Sequence, residues 1–126
     1  MRFGLDPEGG SGMPALIRRL EDTPGVDCPC GVARRILTAA DSAVLSVHRV
    51  SIRENSRTHY HRRLTETYYV LEGEGVMELD GVSHPLRPGT VVHIPPGVRH
   101  RAVGRLEVLN MVVPPFDPDD EFETDA

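Results

Sequence analysis

Lysine, glutamine and tryptophan are absent from this 126-residue chain, so all 14 of its basic side chains are arginine. Without lysine there is no Schiff-base chemistry and no lysine-bound pyridoxal phosphate. The missing glutamine and tryptophan are read as a compositional bias of the source. Cysteine is nearly absent too, with two residues in Cys28-Pro29-Cys30. A disulfide across one residue would be strained, and a two-thiolate zinc site lacks nearby partners, so free thiols are expected. No run approaches the roughly 18 apolar residues of a membrane span, and residues 1–12 have neither the basic nor the apolar region of a signal peptide. A cytoplasmic protein that does not enter a membrane is therefore expected. The formal charge is −5, but residues 117–125 carry six of the 19 acids, leaving 14 arginines against 13 acids in the body. No large basic surface is expected, hence no nucleic-acid partner.

What is there is a set of metal-ligand side chains. His59 and His61 stand two apart, a spacing that scatters them on a helix but points both to one face of a strand. Glu66 follows five residues later, and His100 closes the run that begins at Gly89. Imidazoles plus one carboxylate form a mixed N/O set suited to Zn, Fe, Mn, Ni, Co or Cu. The bland alternatives are a solvated strand edge for the histidines and a surface acid for Glu66.

The spacing says more than the ligand types. The first block reads His59-x-His61-x4-Glu66-x6-Gly73 and the second Gly89-x5-Pro95-x-Gly97-x2-His100. Together, over residues 42–113, they resemble the two sequence motifs of the cupin superfamily. Two outer positions depart from that pattern: Arg53 stands where the first motif opens with glycine, and Gly104 where the second ends with asparagine. The resemblance implies an all-β fold, a single antiparallel jelly-roll β-barrel. It also implies one divalent transition metal per chain (Fe, Mn, Ni or Zn) on His59, His61, Glu66 and His100. Many cupins with this pattern are dioxygenases or decarboxylases, others isomerases, epimerases or lyases, and some only bind a ligand such as a sugar or carboxylate. A metal-dependent enzyme acting on a small, oxygenated metabolite, with an anionic one weakly preferred, is the leading expectation. By the same analogy the chain forms a homodimer, with residues 26–37 as a segment for exchange between copies.

The chain divides into an N-terminal extension packed on the barrel (1–40), the barrel (41–116) and an acidic tail (117–126). At 126 residues it is one domain of ordinary size, and residues 1–40 are too short for a helix-turn-helix domain, which argues against DNA regulation. Residues 1–12 read as loose. Leu16, Ile17 and Leu20 fall at helical spacing and predict one short helix over 15–21. Strands are expected at 42–52, 66–71, 75–79, 83–86, 90–94, 99–103 and 106–113. Turns fall at Glu72-Gly73-Glu74-Gly75 and at Asp80-Gly81, the second a hairpin signal. After residue 113 the prolines cannot continue a ladder, and a flexible or partner-draped tail should follow.

Two further side chains are candidate catalytic groups. Tyr68 shares the face of Glu66 if no bulge intervenes and could donate to a substrate or dioxygen; a packed aromatic is the alternative. His93 is a candidate proton carrier, with an outer-face position as its alternative. His48 and His84 read as surface or hydrogen-bonded histidines. Arg53, Arg57, Arg62, Arg63, Arg99 and Arg101 crowd the ligands in sequence and give a weak preference for an anionic ligand over a purely solvated role.

Overall fold

The computed structural model describes residues 14–53 and 56–124; the loose segment expected at 1–12 lies outside them. Among the described residues the chain forms β1 (Gly25–Cys28), β2 (Gly31–Leu37), β3 (Ser46–Ile52), β4 (His59–Tyr60), β5 (Thr65–Leu79), β6 (Val82–Leu86), β7 (Val91–Ile94), β8 (His100–Val113) and β9 (Phe122–Glu123). All pairings are antiparallel, in the order β1-β2-β3-β8-β4-β9, with β5 joining β6, β7 and β8. This is an all-β jelly-roll sheet curled around a cavity. Its inner face follows the two-residue period: β3 alternates buried and half-buried along its whole length. Ile52, Val70, Met77, Leu106 and Val108 fill the core.

The two long strands carry the curvature. β5 and β8 pair from Thr65–Val113 to Leu79–His100, with a register shift between Val70 and Glu72. The sequence suggests a turn at residues 72–75; the chain instead bulges and bends while the ladder continues. The extra residue switches the buried positions from Glu66 and Val70 to Met77, as a bulge must. Gly104 sits opposite Gly75 at the bend, with φ of +122°, and a Cβ there would lie 2.7 Å from the Glu74 carbonyl oxygen. The departure from asparagine at position 104 thus has a steric cause. At Asp80-Gly81, φ values of 48° and 83° make the expected two-residue hairpin between β5 and β6.

Two expectations need adjusting. The helix over 15–21 is not formed: residues 14–19 are irregular, and a 3-10 turn covers only Leu20–Asp22. A helix this short cannot offset its nucleation cost without a packed apolar face, and Ile17 is 82% exposed. Thr23 is extended ahead of Pro24, which stops the turn. Residues 26–37 form the β1–β2 hairpin and pair with β3 of the same chain. Finally, the described part of the acidic end folds back. Asp117 accepts from the Asp119 N–H at the start of a 3-10 turn, Pro118–Asp120, and β9 then pairs with β4. No helix among the described residues is long and apolar enough to cross a membrane.

Candidate metal centre

Adjacent strands bring the four sequence-predicted ligands together. On β4 and β8, His59 stands directly opposite His100, and their ring centres are 4.2 Å apart. His61 follows two residues after His59 on the same side, and Glu66 enters from β5. One ligand atom from each lies within 4.8 Å of the others. His61, Glu66 and His100 are buried, while His59 is half-buried against the cavity.

Hydrogen bonds orient each ring. Nδ1 of His59, His61 and His100 faces the carbonyl of Arg57 (3.0 Å), Asp120 (2.7 Å) and Val98 (3.0 Å) respectively. A carbonyl only accepts, so each Nδ1 carries hydrogen and each Nε2 is the nitrogen turned inward. Nε2 of His61 and of His100 converge on one oxygen, Glu66 Oε1, at 2.6 and 3.1 Å. The other carboxylate oxygen accepts from Asn110 Nδ2 at 2.7 Å and from the Tyr68 hydroxyl at 3.4 Å. Burial resists ionisation of Glu66, yet the hydrogen bonds from His100 and His61 outweigh it and hold its carboxyl below the usual range. Burial likewise opposes a charge on His61, but its bond to Glu66 raises its pKa. His59 shifts down through burial and the neighbouring His100. Inward Nε2 atoms, outward Nδ1 anchors and an ionised carboxylate are the donor set and support that a divalent cation needs.

The cluster borders a cavity of about 100 Å3. Tyr68 lines it on the Glu66 face, as its spacing predicts; burial, then the charge of Glu66, push its phenol well above its ordinary value, so it stays a donor. His93 is not brought to the site. β7 alternates exposed and buried, His93 takes an exposed position, and its Nδ1 lies 2.9 Å from Thr67 Oγ1. That parity was unreadable because Pro95-Pro96 hides where the strand ends. His84 is exposed on β6. His48 is buried, lines the cavity, and has Nε2 2.8 Å from Ser46 Oγ.

Of the arginines near the ligands in sequence, Arg57 alone lines the cavity, and it pairs with Glu123 at 3.4 Å. Arg53, Arg63 and Arg101 pair with Glu107, Asp117 and Glu78, while Arg62 and Arg99 lie over Phe122 and Tyr60. Cys28 and Cys30 are free, line the cavity at the β1–β2 turn, and hold their sulfurs 3.0 Å apart. The hydrogen bond with Cys30 lowers the Cys28 pKa to about 6.

Sequence reasoning missed three residues here. Asn110 Oδ1 is buried and has no hydrogen-bond donor among the described residues. Glu121 Oε1 lies 3.6 Å from His59 Nε2. The Asp120 carboxylate accepts from the Arg62, Arg63 and Leu64 backbone N–H groups at 2.9–3.0 Å, bracing the loop between His61 and Glu66. The only local signal for the last two was Pro118, which starts a turn.

Comparison with known proteins agrees with the fold. A family model described as the cupin domain matches residues 47–112, and the chain belongs to the cupin family. A solved protein from Planctomyces limnophilus is 43% identical, with a TM-score of 0.82 over 88% of this chain and 97% of that one. Protein SchB of Streptomyces halstedii is 37% identical over 91 residues, 69% of this chain and 66% of SchB. Shorter matches fall on enzymes: an L-ectoine synthase of Mycolicibacterium vanbaalenii, 36% identical over 55% of each chain, and the quercetin 2,3-dioxygenase of Bacillus subtilis, 45% identical over 33% of this chain and 12% of that one. The chain thus spans about two thirds or less of the curated relatives it matches.

Proposed function

We propose that His59, His61, Glu66 and His100 hold one divalent transition metal ion, and that this cupin is an enzyme acting on a small, oxygenated, anionic metabolite by dioxygenase- or decarboxylase-type chemistry. The observation that carries the reading is the ring orientation: three Nδ1 atoms are anchored on backbone carbonyls, the Nε2 atoms of His61 and His100 converge on the buried Glu66, and the four side chains each bring a ligand atom within 4.8 Å of the others. Bound by these four residues, Fe, Mn or Ni would supply dioxygen or Lewis-acid chemistry. The protein's own side chains do the rest. Glu66 is held ionised by its neighbours, the Asp120 carbonyl fixes the His61 ring, and the apolar wall of Ala33, Val50 and Ile52 limits water. Tyr68 keeps its proton and offers it, as a hydrogen bond or a transferred proton, to a substrate oxygen beside Glu66.

Consumption of O2 or release of CO2 with a small carboxylic acid, lost in His61→Ala, is the expected result. Substrate conversion with neither gas exchanged would move the reading to isomerase or lyase chemistry, which the protonated Tyr68 also supports. A ligand that raises thermal stability yet returns unchanged would make the chain a binding module.

The same reading takes the protein to be a cytoplasmic homodimer. Free cysteines support the reducing compartment. The cross-strand pair Tyr69–Val91, 40% and 61% exposed on the outer face, supports self-association, which a light-scattering mass equal to one chain would refute.

A further inference from the structure

Beyond the four ligands, a single row of polar side chains crosses the cavity wall. Arg35 on β2 is paired with His48 on β3, His48 with Asn110 on β8, and Asn110 with Tyr68 on β5. All four line the cavity. The row ends at the metal centre, since Asn110 and Tyr68 both donate to Glu66. Three strand steps away, at about 4.8 Å each, it begins with a cation.

Arg35 differs from the other cavity arginine in what it touches. Arg57 is paired with Glu123, whereas Arg35 makes no ion pair among the described residues. Its guanidinium lies over the Phe116 ring, 5.2 Å from the centre, a contact that orients the plane and leaves its N–H donors free. The register shift between Arg35 and Leu37 marks a bulge, the irregularity that re-aims a strand side chain. Its charge is felt inside the cavity, where it helps to lower the pKa values of His48 and Cys28. The opposite end of the cavity is acidic, with Glu66 and Glu121 around the histidines. Between the two ends, the buried Asn110 Oδ1 is an acceptor with no donor among the described residues.

We propose that Arg35 is the anion-recognition residue of this cavity, gripping a carboxylate or phosphate at one end of the ligand while an oxygen at the other end meets the His59, His61, Glu66 and His100 cluster. A hydroxyl or N–H between the two ends would satisfy Asn110 Oδ1. The inference rests on the metal reading for the far end of the ligand, and on Arg35 alone for the near end.

The test is calorimetric titration of zinc-loaded protein with succinate, glutarate, adipate, 2-phosphoglycolate and acetate, in wild type, Arg35→Met and Arg35→Lys. At least one two-ended ligand should bind wild type about tenfold or more tightly than acetate, and Arg35→Met should abolish that preference without changing zinc stoichiometry. Arg35→Lys keeps charge but not the planar fork and should fall between them. Whether a dicarboxylate or phosphoglycolate binds tightest tells a carboxylate end from a phosphate end. An Arg35→Met protein that keeps the wild-type preference, or a wild type that shows none, overturns the proposal. Should wild type bind no zinc, the metal reading fails by itself. The same titrations on metal-free protein then decide Arg35: weaker anion binding in Arg35→Met supports it, and equal binding removes it.

Discussion

His48 shows how one buried side chain carries a pH dependence. Burial first, and the nearby Arg35 second, lower its pKa to about 4 from an ordinary 6.5. Between those values the unfolded chain binds more protons than the folded one, so stability falls as pH drops through that window. The loss is at most about 3 kcal/mol, complete only below the folded value. Urea unfolding of metal-stripped protein at pH 7.5 and 4.5 should show this, and His48→Gln should flatten the difference. Equal slopes for the two proteins would count against it. Asp120 acts without titrating near neutrality. Replacing it with alanine strands three backbone N–H groups and should cost on the order of 3 kcal/mol, read as a lower denaturation midpoint, with Asp120→Asn milder. The cluster of His59, His61, Glu66 and His100 was legible because the spacing is local to each block and alternate strand positions share a face. Arg35, Asn110 and Asp120 were not, since their roles depend on which strands become neighbours across the sheet.

At the scale of elements, β5 and β8 bend together so that Glu66, near one end of their ladder, meets His100, paired with Leu79 at the other. Glu66 and Tyr68 lie before the bulge, and Met77 packs the core after it. Gly104→Asn restores the residue of the resembled motif but puts a Cβ against the Glu74 carbonyl at a φ that side chains rarely adopt. It should therefore destabilise the fold, by about 1–3 kcal/mol in chemical denaturation. Unchanged stability would mean the bend tolerates a side chain. The seven expected strands fall on five observed ones, β3, β5, β6, β7 and β8, and these and the Asp80-Gly81 hairpin could be read from alternation and turn chemistry. The turn expected at residues 72–75 could not be told from a bend, because glycine permits both. The short helix failed for the opposite reason: its spacing was right, but no packed surface waited for its apolar face.

Across the whole molecule, the chain's end completes the centre that its middle supplies. The Asp120 carbonyl fixes the His61 ring, Glu121 stands beside His59, and Phe122 stacks on Tyr60 with ring centres 5.4 Å apart. Ending the chain after Pro118 should therefore lower metal occupancy as well as melting temperature, although it removes none of the four ligands. A truncated protein that keeps full occupancy would separate the tail from the site. The most direct test of the central claim is elemental metal content of tag-free protein from unsupplemented cells, measured beside His61→Ala. The account predicts close to one equivalent of Fe, Mn, Ni or Zn per chain in the native protein and little in the variant. The same trace content in both proteins would contradict it.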